Sequence, residues 1–280
     1  MHISLDSALG QQRRLNQVGE SITQIAPDPA AAYSLRSLTG RDPKVVRVRR
    51  DTDNAEQDFT ASGISSGALV DFVGSGNDGF VETWYDQSGN GKDATQATAG
   101  NQPKIVDAGS LLTAGVTFDG GDSLSVSGDP VITASSSGVY SGFSVQTVST
   151  DEAGYLYGNA SASNGSSLYA RAAGNTFNLT NKNSDSLDKI SRSSGQNLLS
   201  AVYNNGDAGL LVNGAGTMTN VGTYNFSAGT SDFVIGNRNG GTSSGTFLAG
   251  SINEIVVYNS NQSSNRTALE TEIISHYGIS

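Results

Sequence analysis

The stretch "VETWYDQSGNGKDATQ", residues 81–96, concentrates side chains suited to binding. Trp84, the only tryptophan of the chain, and Tyr85 offer aromatic faces able to stack on sugar rings. Asp86, Ser88 and Asn90 place oxygens at alternate positions, and Gly91 falls at the sixth. That is the first half of a calcium loop. Ala97 stands at the twelfth position, where a bidentate Glu belongs, so calcium here needs donors from other loops. The alternative is a Gly-rich turn in which Asp86 accepts bonds from nearby backbone N–H groups. Trp84, Tyr85, Asp86 and Asn90 are the candidate ligand-binding residues. A second acidic turn, "FDGGDSL" at 118–124, holds Asp119 and Asp122, which either bind calcium or tie their own turn together. A third group, Asp51, Asp53 and Glu56, spaces carboxylates along one stretch. Retaining hydrolysis of a glycoside needs two such groups about 5–5.5 Å apart. The polar residues between them favour a turn that neutralises Arg47, Arg49 and Arg50. No residue is assigned a catalytic role.

Composition removes several chemistries. The chain has 280 residues and no cysteine, which excludes disulfides, thiolate metal sites and cysteine nucleophiles. It also suggests a product assembled inside a cell. The two histidines, His2 and His276, lie near opposite ends, too few for a His-based triad or a multi-His metal centre. A net charge of −10 argues against nucleic acid as a partner. No signal peptide or membrane-spanning stretch is visible.

These residues must be positioned by many short strands. "KVVRVRR" (44–50), "FVETWY" (80–85), "SGFSVQTV" (141–148), "LLSAVYN" (198–204), "AGLLVNG" (208–214) and "GSINEIVVYN" (250–259) alternate or run apolar between Gly- and Asn-rich turns. Such spacing predicts an all-β antiparallel sandwich or jelly roll in one domain, residues 28–280. Strict alternation in 80–85 puts Phe80, Glu82 and Trp84 on one face, so that either this face is a solvent-facing groove or Glu82 pairs with the cluster Arg47, Arg49 and Arg50. "QSSNRTALETEIISHYGI" predicts one C-terminal helix, capped by Ser263 or Ser264 and stopped at Gly278. Residues 1–27 read as an N-terminal arm: Leu15, Val18, Ile22 and Ile25 are spaced 3, 4, 3, as on one helix face. This stripe either packs on its own domain or serves as an anchor and oligomerisation segment, for instance in a trimer.

"LAGSINEIVVYN", followed by "NRTALETEIISHYGI", resembles the close of the concanavalin A-like (laminin G-like) jelly-roll superfamily. Residues 31–107 resemble the opening of the catalytic domain of fungal α-L-arabinofuranosidase B. The shared cores are Tyr33-Ser34-Leu35-Arg36, Val46 to Arg50, Asp53 to Asp58 and Trp84 to Gly91. One catalytic carboxylate of that family follows Gly-Asn-Ala; here "YGNAS" puts Ser161 at that place, and "VIGNRNGG" (234–241) supplies no acid either. Asp51-x-Asp53-x-x-Glu56 is also similar to the acidic strand of laminarinase-type glycosidases. The layout of arm plus jelly roll resembles virion structural proteins of marine tailed bacteriophages.

The resemblances imply a non-enzymatic bacteriophage virion surface protein as the leading expectation, assembled in the host cytoplasm and displayed on the capsid or tail. Its arm would grip other virion proteins, and its jelly roll would meet host-surface glycans. The alternatives are a stand-alone carbohydrate-binding lectin module, with calcium as its only expected cofactor, and a glycoside hydrolase related to arabinofuranosidase.

Overall fold

The structure, a computed structural model, describes residues 20–128, 139–149, 153–159, 168–181, 184–192, 194–205, 207–220, 232–237 and 247–280. It is an antiparallel β-sandwich of the expected class. One layer is built on β19 (Ala249–Tyr258). β1 (Ala31–Ser34) and β8 (Val116–Asp119) pair end to end along one side of β19, and β10 (Val139–Thr147) pairs along the other. β15 (Gln196–Asn204), β16 (Asp207–Val212) and β17 (Ala215–Asn220) continue outward. The second layer runs from β3 (Glu56–Thr60) through β2 (Lys44–Arg50), β4 (Gly79–Trp84), β5 (Ala94–Thr95), β9 (Leu124–Val126), β18 (Phe233–Ile235) and β11 (Ala153–Asn159). It ends with β12 (Leu168–Ala173), β13 (Thr176–Asn181) and β14 (Ser184–Ser191). β6 (Lys104–Asp107) pairs with both β4 and β8, which joins the layers at one side. The short β7 (Ser110–Leu111) pairs with β6.

β10 shows how the sequence builds two cores. Tyr140 points between the layers, where it packs with Tyr33, Trp84, Phe118, Tyr157 and Ile255. Phe143 and Val145 point outward into a second cluster with Leu198, Val256 and Tyr258. Helix α4 (Arg266–Tyr277) covers that second face through Leu269 and Ile273. Gly278 ends α4 in the left-handed region at φ 63°, its N–H on the Ile274 carbonyl, as the sequence predicts. The cap at the other end is Asn265 rather than Ser263 or Ser264. Two helical turns absent from the sequence reading, α2 (Ala61–Ser65) and α3 (Ala68–Val73), follow β3 and add Ile64, Leu69 and Val73 to the core between the layers.

Only the end of the predicted arm, from Glu20, falls among the described residues. Leu15 and Val18 lie outside the described residues. Ser21 is extended (ψ 156°) and donates its N–H to Gln24 Oε1 at 2.9 Å, so it starts a new short helix, α1 (Ile22–Ile25). A helix continuous from Leu15 to Ile25 is therefore excluded at this residue. Ile22 is fully buried and Ile25 partly buried in the cluster beneath α4, and the Tyr258 hydroxyl donates to the Ala26 carbonyl. Ile22 and Ile25 thus pack on their own domain.

One register change alters the expected faces. Between β2 and β4, Arg47 opposes Thr83 and Val48 opposes Val81, leaving Glu82 as the extra residue of a β-bulge. Trp84 is thereby turned onto the inner face with Val81, while Phe80 and Glu82 stay partly exposed. The expected sharing of one face by Phe80, Glu82 and Trp84 fails for this reason.

Candidate functional site

The loop after β4 is the first candidate, and its geometry is closed. Asp86 Oδ1 accepts the N–H of Ala32 and of Ser88, both at 2.9 Å. Its Oδ2 accepts the Ser88 hydroxyl at 2.6 Å and the Lys92 N–H at 3.0 Å. Ser88 Oγ accepts the Asn90 N–H, and Asn90 Nδ2 donates to the carbonyls of Pro29 and Ala30. The Asp86 oxygens, which a cation would need, are held by four protein donors. Among the described residues no group of three or more His, Cys, Asp or Glu is placed to hold a metal ion.

The loop serves β1 instead. Gln87 N–H donates to the Ala32 carbonyl, and the buried Gln87 amide donates to the carbonyls of Ser34 and Arg36 while accepting from Leu38 N–H. These bonds occupy most of the edge of β1 that faces away from β19, where an unpaired strand would otherwise expose its backbone. Gln87 went unnoticed in the sequence, because nothing in its type marks it as a bridge.

Trp84 is fully buried, 5.9 Å from the Tyr33 ring, so its face is core rather than a sugar platform. Tyr85 donates its hydroxyl to Asp58 at 2.7 Å; burial and the Asp58 carboxylate push that phenol up to about 12. Asp58 also binds Lys44 and Arg47. The expected pairing of Glu82 with an arginine does not form: Glu82 accepts from its neighbour Thr83, while Arg49 goes to Gln102 and Arg50 to Asp53. The acidic stretch is a turn at 51–53 that leads into β3 at Glu56, with Asp53 bound twice by Arg50 and its carboxyl held at about 2 by that partner.

The turn 118–124 differs. Asp122 Oδ2 accepts the Asp119 N–H at 3.0 Å, and Asp119 Oδ1 accepts the Gly121 N–H at 2.8 Å. Both acids line a cavity of about 440 Å³ with Phe80, Gln102, Lys104, Asp107, Leu112 and Thr117 among its walls. Asp122 is 6% exposed, and burial pushes its carboxyl up to about 7. The neighbouring Asp119 charge adds to that rise, and the Asp119 N–H opposes it. Phe80 forms one wall, with the Arg49 guanidinium 5.0 Å and the Lys104 ammonium 5.6 Å from its centroid. Lys104 is held by Asp78 at 2.7 Å and Asp107 at 2.8 Å. The cavity therefore joins a buried carboxyl with a raised pKa, a second acid beside it and an aromatic wall.

A third cluster is structural. Arg36 grips Glu254 through Nε at 2.7 Å and Glu272 through Nη1 at 2.6 Å. Glu254 is fully buried and also accepts from Ser34 and Tyr277. Its oxygens are committed to protein donors, which leaves none for a substrate.

The fold and these clefts define an antiparallel β-sandwich with an acidic pocket at the β4–β6–β8 side. No protein-family model matches the chain, and no curated protein does. Among solved structures it is similar to a Glu-to-Gln mutant of a GH54 α-L-arabinofuranosidase soaked with 4-nitrophenyl α-L-arabinofuranoside, at TM-score 0.66 and 15% identity. It is equally similar to a GH54 enzyme soaked with a cyclic sulfate inhibitor, at 0.65 and 16%, and to an arabinofuranosidase complexed with arabinofuranosyl-α-1,2-xylobiose, at 0.63 and 15%. Each match covers 88% of this chain and 62% of the other. At this identity the likeness establishes the fold. It overturns the leading expectation of a non-enzymatic virion surface protein: over most of its length the chain matches arabinofuranosidases seen with sugar-derived ligands, and the virion and capsid reading has no support.

Proposed function

We propose that the chain is a glycan-acting domain of the arabinofuranosidase-like sandwich class, a glycoside hydrolase that works at the pocket of Asp119 and Asp122. The observation that carries this reading is the place of Asp122, nearly buried on the wall of a cavity; burial pushes its carboxyl up to about 7, so that a protonated fraction is at hand near neutral pH to give to a leaving glycosidic oxygen. The second carboxylate that such hydrolysis requires comes from Asp119 or Asp107 on the same walls. The fold likeness supports a furanosidic substrate.

The test is release of nitrophenol from a panel of nitrophenyl furanosides and pyranosides, with reducing ends measured on polysaccharides in parallel. Turnover lost in Asp122→Asn, and retained in Glu254→Gln at temperatures where that variant stays folded, supports the reading. Turnover that survives Asp122→Asn removes Asp122 from the chemistry. A second reading, sugar binding without cleavage, is favoured by Ser161 at the place of a family carboxylate. It predicts binding to the same panel with no release.

A further inference from the structure

Residues 119–122 bring two carboxyls onto one cavity wall. Gly120 takes φ 97°, a left-handed conformation that glycine adopts without strain, and so lets the chain double back after β8. Asp122 Oδ2 then accepts the Asp119 N–H, and Asp119 Oδ1 accepts the Gly121 N–H. A Cβ at Gly121 would stand 3.3 Å from Asp119 Oδ1, so the turn closes tightly over that carboxylate. The two acidic side chains come within hydrogen-bonding reach of each other. Asp122 is nearly buried and Asp119 is exposed. Two touching carboxyls repel each other when both are ionised, so one proton stays between them, on the more buried partner.

We infer that Asp119 is a positioning residue, which shares one proton with Asp122 and holds it there, and that Asp107 is the second carboxylate of the reaction. This rests on the hydrolytic reading of the pocket. Carboxyls that share a proton stand about 3 Å apart. Hydrolysis with retention sets its two carboxyls about 5–5.5 Å apart, and hydrolysis with inversion about 6.5–9.5 Å. Asp119 is therefore too close to Asp122 to act opposite it across a sugar. Asp107 stands apart from the pair, at the end of β6, with its Oδ1 on Lys104 Nζ at 2.8 Å. Among the described residues the charged groups that line the cavity with Asp122 are Asp119 on its own turn and Lys104 and Asp107 on β6. Lys104 is already bound by Asp78 and Asp107, and Arg49 by Gln102 of the wall. In the reaction the glycosidic C–O bond breaks and the leaving oxygen takes the Asp122 proton. The water that supplies the new C–O bond returns a proton to the site.

Carboxyl carbon NMR across pH, on the full chain without substrate, tests the shared proton. In the native chain the Asp119 and Asp122 signals are expected to follow the same two steps. In Asp119→Asn, Asp122 is expected to titrate in one step, lower by about one pH unit or more. An Asp122 titration unchanged in Asp119→Asn overturns the inference, whether or not any glycoside is cleaved. On the glycoside that the native chain hydrolyses fastest, Asp119→Asn is expected to lower kcat by less than about tenfold and to move the alkaline limb of the pH profile down with the titration. Asp107→Asn is expected to lose at least about a hundredfold at every pH. Turnover abolished in Asp119→Asn and kept in Asp107→Asn would make Asp119 the second carboxylate and overturn the assignment. No turnover by the native chain defeats the hydrolytic reading and the role of Asp107 with it, while the shared proton stands or falls on the titration.

Discussion

Two acidic, glycine-rich turns of this molecule look alike on paper and behave as opposites. In 86–93 the carboxylate of Asp86 receives four protein donors and holds a strand edge together. In 119–122 the carboxyl of Asp122 receives one backbone donor and otherwise borders a cavity. The difference is in donor supply, not in residue type. An acid whose oxygens are all spoken for is a strut; an acid buried with spare capacity must hold a proton or find a ligand.

Removing the strut sharpens this contrast most. Asp86→Ala leaves the N–H groups of Ala32, Ser88 and Lys92 without their acceptor. At roughly 1–3 kcal/mol for each unsatisfied buried group, with water rescuing part, the expected loss is about 4 kcal/mol, read as a Tm drop of about 8–16 °C. A drop below 2 °C would mean that the loop does not support β1.

The second effect is pH-dependent and opposite in sign. The folded pKa of Asp122, about 7, lies above the ordinary carboxylate range. Its contribution is therefore full below about pH 4 and is lost as pH rises through 7. Asp122→Asn keeps an acceptor for the Asp119 N–H and cannot ionise. Relative to the native chain it should gain stability as pH rises from 4 to 8, by on the order of 2–4 kcal/mol. Denaturant midpoints of both proteins across that range give the answer, and parallel curves would show that Asp122 ionises normally.

The smallest expected effect concerns calcium. With its acceptors committed, the 86–91 loop should leave Tm within about 1 °C when millimolar calcium is added to the native chain. A larger shift that vanishes in Ser88→Ala would reopen the loop as a cation site. One that vanishes in Asp119→Asn would assign the cation to the pocket.

Much of the fold was legible in the residues. β2 matches "KVVRVRR" at both ends, and α4 stops where Gly278 says it should. The run 141–148 was legible as a strand within β10, while its burial on both faces, against one apolar layer on each side, appears only in the structure. Alternation failed at Trp84, since a bulge is a property of two paired strands and one strand alone does not reveal it. The short strands β5, β7 and β9 carry two or three residues each, too few to show a period. The site was half legible. The acids of both turns stood out by type, but nothing local told which would be saturated. That depended on Ala32, which reaches Asp86 from 54 positions away. Glu272 and Arg36, which pin α4 to β1 and β19, were likewise invisible as partners, being 236 positions apart.

The closure of β1 on β19 has a bearing on synthesis. Among the described residues, β1 finds its only strand partner in residues 254–257, and Arg36 finds Glu254 and Glu272 there as well. A chain leaving the ribosome therefore carries β1 without this partner until β19 has emerged. Contacts of such sequence separation slow folding and lengthen exposure of apolar segments. The loop at 86–90 is made early and shields that strand's other edge, much as a temporary splint would, while the rest of the chain is still being built.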